Sequence, residues 1–378
     1  MPWSRIKPEL DEPDFLLESD ESQRRLTYPE AIREALDQAL ALDSRVFVMG
    51  QGVDDPGGMF GTTLNLHKKH GSHRVFDIPL AENAMTGVAV GAALGGMRPV
   101  YFHNRPDFLL LAMDQLVNHA AKWSYMFGGA VHVPLVVWAC IGRGWGSAAQ
   151  HSQALQGLFL HVPGLKVAMP STCYDAKGLM LAAIADPNPV LILEHRYNFK
   201  QRGFVPEKPY QIPFGRGVVR KAGKDISLVA ASHMVMEAYK AAQELAREGI
   251  EAEVIDLRSL RPMDEELILT SLRKTGRLVV ADNGWRTGGV AAEVAAMAAE
   301  KAFAFLKAPI RRVTCPDLPT PAGYTLESAF YVGAEEIAAE ARELVQWGAS
   351  GQVYVGESSQ IRIFASASPR RKDCLDES

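Results

Sequence analysis

Two side chains carry the chemistry this sequence can offer. Glu82 closes the segment Asp77-Ile-Pro-Leu-Ala-Glu82 at the mouth of a small-residue helix, and His151 stands in Ser147-Ala-Ala-Gln-His-Ser-Gln153. A carboxyl group among Ile78, Pro79, Leu80, Ala81 and Met85 is expected to lose part of its solvation. Such a group can share a proton with a heterocyclic nitrogen, which is general acid–base work. The plainer alternative is a helix N-terminal carboxylate, favoured by roughly a few tenths of a kcal/mol through the macrodipole. His151 follows the apolar run Pro134 to Ile141, and Gly144, Gly146, Ser147, Ala148 and Ala149 leave room for a ligand beside its imidazole. A satisfied loop histidine is the alternative there. His103-Asn-Arg-Pro106 follows a strand at its C-terminal end, where α/β proteins bind ligands, and reads as substrate-facing or merely solvated. Together, Glu82 and His151 point to a buried cofactor pocket.

The elements that must position them alternate. Short apolar runs at 45–50, 74–77, 99–102, 133–141, 165–169 and 190–193 read as strands, with helices such as Met85 to Leu94 and Asp107 to Tyr125 between them. Order begins at Thr27-Tyr-Pro-Glu30, with the spacing of a capping box and Pro in the first turn. A second alternating unit runs from Ile226 to Cys315. Alternation of this kind predicts an α/β fold of two doubly wound domains with mainly parallel sheets, covered on both faces. The expected boundaries are a flexible arm at 1–23, a first domain at 24–202, a proline-rich linker at 203–215, a second domain at 216–347 and a mobile tail at 348–378.

Composition narrows the function classes. The chain has 378 residues, 47% hydrophobic and 22% charged, enough for two full cores. A net charge of -4 gives no reason to expect nucleic acid or an anionic membrane as partner. No apolar run approaches the ~18 residues of a membrane span. Cys140, Cys173, Cys315 and Cys374 are widely spaced, which suggests reduced thiols in a cytoplasmic protein. Neither a Gly-x-Gly-x-x-Gly after a strand nor a Gly-x-x-x-x-Gly-Lys-Ser/Thr occurs, so no phosphate cradle is recognisable.

With these residues in hand, the chain resembles the β subunit of the thiamine-diphosphate-dependent decarboxylase component of 2-oxo acid dehydrogenases, within the transketolase superfamily. The resemblance runs from about Leu26 to Val345. It is carried by Asp77-Ile-Pro-Leu-Ala-Glu82, Gly87-Val-Ala-Val-Gly-Ala-Ala93, Met113-Asp-Gln-Leu-Val-Asn118, Ala149-Gln-His-Ser-Gln153, Pro163-Gly-Leu-Lys-Val167, Asp175-Ala-Lys-Gly178 and Leu257-Arg-Ser-Leu-Arg-Pro262, in order. It implies a pyrimidine-binding domain followed by a transketolase C-terminal-like domain.

By that resemblance Glu82 would hydrogen-bond the aminopyrimidine nitrogen of thiamine diphosphate, favouring the imino tautomer that deprotonates the thiazolium carbon. Phe108 would lie against the pyrimidine, His151 would steady or protonate the substrate, and Asp175 matches a region that holds potassium in some relatives. The family's Gly-Asp-Gly motif for diphosphate and magnesium is absent. The resemblance therefore implies an α subunit gripping the phosphates, an α2β2 assembly and, in the dehydrogenases, a lipoyl acyltransferase. Departures stand at Gln51-Gly52, at Phe102-His-Asn-Arg-Pro106 and at Ile141-Gly-Arg-Gly-Trp-Gly146. The last two suggest that His103, Arg105 and Arg143 favour a polar or anionic substrate. A split transketolase moving a two-carbon ketol unit, and a non-catalytic scaffold subunit, are the alternatives.

Overall fold

The computed structural model describes residues 2–6, 24–142 and 146–347. The first unit comprises β1 (Arg25–Thr27), α1 (Tyr28–Leu42), β2 (Val46–Gly50), α2 (Leu66–His70), β3 (Val75–Phe76), α3 (Glu82–Leu94) and β4 (Arg98–His103). It continues through α4 (Pro106–Leu109), α5 (Ala121–Met126), β5 (Val136–Ile141), α6 (Gln156–Leu160), β6 (Lys166–Ala168), α7 (Cys173–Ala185), β7 (Val190–His195) and β8 (Arg202–Phe204). The second comprises β9 (Val218–Lys221), β10 (Ile226–Ala230), α8 (His233–Arg247), β11 (Ala252–Asp256), β12 (Ser259–Arg261), α9 (Glu265–Thr275), β13 (Leu278–Trp285), α10 (Val290–Ala302), β14 (Arg311–Cys315), α11 (Tyr324–Phe330) and α12 (Ala334–Gln346).

The capping box opens α1 as its spacing predicts: the Glu30 carboxylate accepts from the Thr27 amide at 2.8 Å, and Thr27 Oγ1 accepts from the Glu30 amide at 3.4 Å. Central strands β2, β4, β5 and β7 are buried along their whole length, as strands covered on both faces must be. They sit in a sheet of order β12-β6-β7-β5-β4-β2-β3, parallel except for β12. A second sheet has the order β14-β13-β10-β11-β9, with β9 antiparallel at its edge.

Three expectations need correction. The arm is not wholly free: Trp3 is buried, and its indole N–H donates to Asp43 at 2.8 Å. The proline-rich stretch is no free linker, because β8 pairs with β1 while Tyr210 and Ile212 are buried against α7. The segment from Asp107 to Tyr125 is not one regular helix; α4 passes through a 3-10 turn at Leu110–Ala112 and a π-helical stretch at Asp114–Ala120 before α5. No helix among the described residues is long and apolar enough to cross a membrane.

Strand β12 joins the two units. It lies beyond the proline-rich stretch in sequence yet pairs with β6 of the first sheet. One hydrophobic core accordingly runs from Leu116 and Phe159 in the first unit to Ile268 and Val294 in the second.

Candidate functional site

The order of the first sheet reverses at β2, with β3 added on one side and β4 on the other. In open parallel sheets this reversal opens a crevice outside the carboxyl ends of the strands, where ligands bind. Glu82 follows β3, Phe108 follows β4 and His151 follows β5, so all three belong to that edge.

Glu82 is the first residue of α3 and half-buried. Its backbone carbonyl accepts from the Thr86 hydroxyl at 2.7 Å, and Thr86 Oγ1 lies 3.2 Å from His103 Nε2. A hydroxyl that donates to the carbonyl must accept from the ring, which assigns the His103 proton to Nε2. His103 is 2% exposed, and burial pushes its pKa down to about 3. Beside it lies the Tyr101 ring, 4.0 Å away between centroids. Burial, and then the Glu82 carboxylate, push the Tyr101 phenol above its ordinary range. The layer beneath Glu82 is therefore neutral. This corrects the expectation for His103: it is not a substrate-facing cation but an uncharged support.

Phe108 is half-buried and His151 exposed; their rings meet edge to face at 5.1 Å and 75°. Arg105 Nη1 donates to the His151 carbonyl at 2.5 Å. Burial, and then the neighbouring Arg196 charge, lower the Arg105 pKa. Asp107 Oδ1 accepts from the Gln153 amide N–H at 3.2 Å and from Gln153 Nε2 at 2.8 Å. Burial raises the Asp107 pKa. Arg105, expected at the substrate mouth, thus has a protein partner. Arg143 lies outside the described residues.

Asp175 sits elsewhere. Its carboxylate is fully buried between the guanidinium groups of Arg220 and Arg258, the latter at 2.8 Å, and takes a hydrogen bond from Ser171 at 2.9 Å. Burial opposes its ionisation, but the two arginines outweigh it and hold its pKa below the usual range. Arg220 and Arg258 balance Asp175 and its buried neighbour Asp256, so Asp175 offers a potassium ion no uncompensated charge. The potassium expectation for Asp175 is corrected to an ion pair between the two units. Among the described residues no group of three or more His, Cys, Asp or Glu is placed to hold a metal.

Sequence reasoning missed Thr86, Tyr101 and Asp107, which look like ordinary helix and strand residues. It also missed Glu194, 1% exposed at the end of β7, whose pKa burial drives well above its ordinary value. Its neighbour across the sheet, Cys140, is pushed up to about 12 by burial and by that carboxylate. Nothing in a strand-end Glu or Cys announces such a pair. A cavity of about 700 Å³ borders the His151 loop and is lined by Gln150, Gln153, Trp285, Thr287 and Leu318. A larger one, about 890 Å³, lies between α5 and α9 and contains none of the candidate residues.

Comparison with known proteins bears on this arrangement. Residues 24–201 match the transketolase pyrimidine-binding domain, and residues 215–337 match the transketolase C-terminal domain. The acetoin:2,6-dichlorophenolindophenol oxidoreductase subunit beta of Cupriavidus necator is 44% identical, over 86% of this chain and 99% of its own. The 2-oxoisovalerate dehydrogenase subunit beta of Bacillus subtilis is 40% identical, over 85% of this chain and 99% of its own. The mitochondrial pyruvate dehydrogenase E1 component subunit beta of Drosophila melanogaster is 44% identical, over 81% and 85%. Among solved structures, a split-gene transketolase described as an inactive beta4 tetramer superposes with a TM-score of 0.68 at 25% identity, covering 85% of this chain and 98% of that one. This chain belongs to the transketolase superfamily, in the family of β subunits of 2-oxo acid and acetoin dehydrogenases.

Proposed function

We propose that the chain is the β subunit of a thiamine-diphosphate-dependent enzyme that decarboxylates a 2-oxo acid and passes on the acyl unit, active only with an α subunit. The observation that carries this reading is that Glu82, Phe108 and His151 follow the successive strands β3, β4 and β5 at one edge of the first sheet. A carboxyl group at a half-buried helix start, an aromatic ring and an imidazole suit the aminopyrimidine half of thiamine diphosphate and a substrate beside it. When bound, that cofactor supplies an electron sink for the carbanion left by bond cleavage.

In this reading the Glu82 carboxyl shares a proton with the pyrimidine nitrogen. The neutral layer of Thr86, His103 and Tyr101 keeps competing charges away from it. Phe108 offers a face or edge to the pyrimidine, and His151 holds or delivers a proton at the substrate oxygen. Glu82 is half-exposed in this chain alone, so the partner must complete its burial. The diphosphate and its magnesium fall to that α subunit in an α2β2 assembly, since this sequence lacks a phosphate cradle. A lipoyl acyltransferase is the natural acceptor for the acyl unit. The buried thiols of Cys140, Cys173 and Cys315 accord with a reducing cytoplasm.

Relatives named for acetoin and for 2-oxo acids leave two neighbouring substrate classes, each cleaved beside a carbonyl carbon. The likeness to a split-gene transketolase keeps ketol transfer as the second reading. Reconstitution with the α subunit, thiamine diphosphate and magnesium, assayed with 2-oxo acids, acetoin and ketose phosphates, separates them. Carbon dioxide released from a 2-oxo acid without ketose turnover is the expected result; ketose turnover alone overturns it. Glu82→Gln should cost at least about a hundredfold in turnover with assembly intact. Unchanged turnover would instead mark a scaffold subunit.

A further inference from the structure

The His151 imidazole stands on an irregular loop. No regular element covers residues 146–155. Its turn closes on a long hydrogen bond, from the His151 amide to the Ala148 carbonyl at 3.4 Å. Ala148 stands at φ 59, a left-handed conformation that strains a non-glycine residue. An imidazole on such a loop is free to swing unless something outside fixes it.

That something is the short turn after β4. Arg105 Nη1 donates to the His151 carbonyl at 2.5 Å, and Asp107 Oδ1 gathers both the amide N–H and the side-chain amide of Gln153. Beside these two anchors the Phe108 ring meets the imidazole edge to face. Three of four consecutive residues therefore grip three points of one loop: the imidazole ring, the carbonyl of the same residue and, two residues on, the backbone and side-chain amides of Gln153.

We propose that Arg105 and Asp107 are positioning residues that set the place of the His151 imidazole and through it the rate of the chemical step. The proposal rests on the role given to His151 above. Asp107 is 8% exposed and its Oδ2 has no partner among the described residues, so its task is to accept through Oδ1. An asparagine can do that equally well, which makes Asp107→Asn a conservative control. Lys in place of Arg105 retains one donor and should restore part of the function.

The test uses the reconstituted holoenzyme with a 2-oxo acid that it turns over. Arg105→Met and Asp107→Ala should each lower kcat about 10- to 100-fold, with KM within about twofold, since a misplacement near 1 Å has effects of that order. Asp107→Asn should stay near wild type and Arg105→Lys should fall between. In a His151→Ala background both losses should vanish, because a residue acting through the imidazole has nothing left to act on. Full, additive losses in that background overturn the proposal. So does a raised KM with kcat intact for Arg105→Met, which would make Arg105 a binder of the substrate carboxylate. If the holoenzyme turns over none of the substrates above, the functional reading has failed, and the clamp is judged by the His151 imidazole resonance of the full chain. A clamp predicts that Arg105→Met shifts or broadens it; an unchanged signal overturns the proposal.

Discussion

At the scale of single residues, what distinguishes this site is charge kept out as much as charge put in. Beneath Glu82, His103 is held neutral by burial, with a pKa near 3 against an ordinary value of 6.5. The sign of its effect on stability follows. Between those values the unfolded chain binds a proton that the folded chain refuses, so stability is full above about pH 6.5 and falls as pH drops towards 3. One proton corresponds to about 1.4 kcal/mol per pH unit. His103→Phe keeps the ring beside Tyr101 and removes the titration. Denaturant unfolding between pH 4 and 5.5 should then show an acid slope shallower by nearly one proton than in the parent. An identical slope in both proteins would mean that water reaches the ring.

At the scale of elements, a motif quoted only for resemblance acquires a mechanical reason. In Pro163-Gly-Leu-Lys-Val167 the glycine stands at φ 91, and a Cβ there would collide with the Ala121 carbonyl at the start of α5. Gly164→Ala should therefore cost at least about 2 kcal/mol, combining left-handed strain with the displacement of α5. Its unfolding midpoint in denaturant measures this, and a loss under 0.5 kcal/mol, the size of an ordinary surface change, would refute the contact. The same elements show what a sequence makes legible. Apolar runs such as β5 and the first four residues of β7, and the Thr27–Glu30 cap, announce themselves because burial and capping each demand a residue type. The π-helical stretch does not: Leu109, Ala112, Leu116 and Ala120 are buried at ordinary three- and four-residue spacings, so the widened turns leave the pattern untouched. Strand β12 is three residues long, and its place beside β6 is set by contacts remote in sequence. Glu82 and His151 stand in motifs visible in the sequence and Phe108 is suggested by the resemblance alone, whereas the contacts of Arg105 and Asp107 with the His151 loop show only in the fold.

At the scale of the whole molecule, the two units are tied by charge as well as by the shared core. Asp175 opens α7 of the first unit; Arg220 of β9, Asp256 of β11 and Arg258 belong to the second. Arg220 bonds Asp256 through Nε at 3.0 Å and Nη2 at 2.7 Å while also pairing with Asp175, and all four side chains are buried. Two arginines and two aspartates balance, yet the balance is uneven. Burial, the first cause, pushes Asp256 above its ordinary pKa despite Arg220, whereas the arginines hold Asp175 below. Taking away one cation leaves two carboxylates facing the single guanidinium of Arg258. Arg220→Met should thus lower the unfolding free energy by about 3–5 kcal/mol, the usual result of stripping one partner from a buried pair. Removing the stranded acid as well, in Arg220→Met with Asp256→Leu, should restore most of that loss, because apolar groups of similar volume need no compensating charge. The comparison is made by denaturant unfolding, followed in parallel by a probe in each unit. Coincident transitions in the parent are expected from the shared core and from β12 lying in the first sheet. If the double variant is instead as damaged as the sum of its parts, Arg220 and Asp256 have no coupling energy and the charge balance described here is refuted.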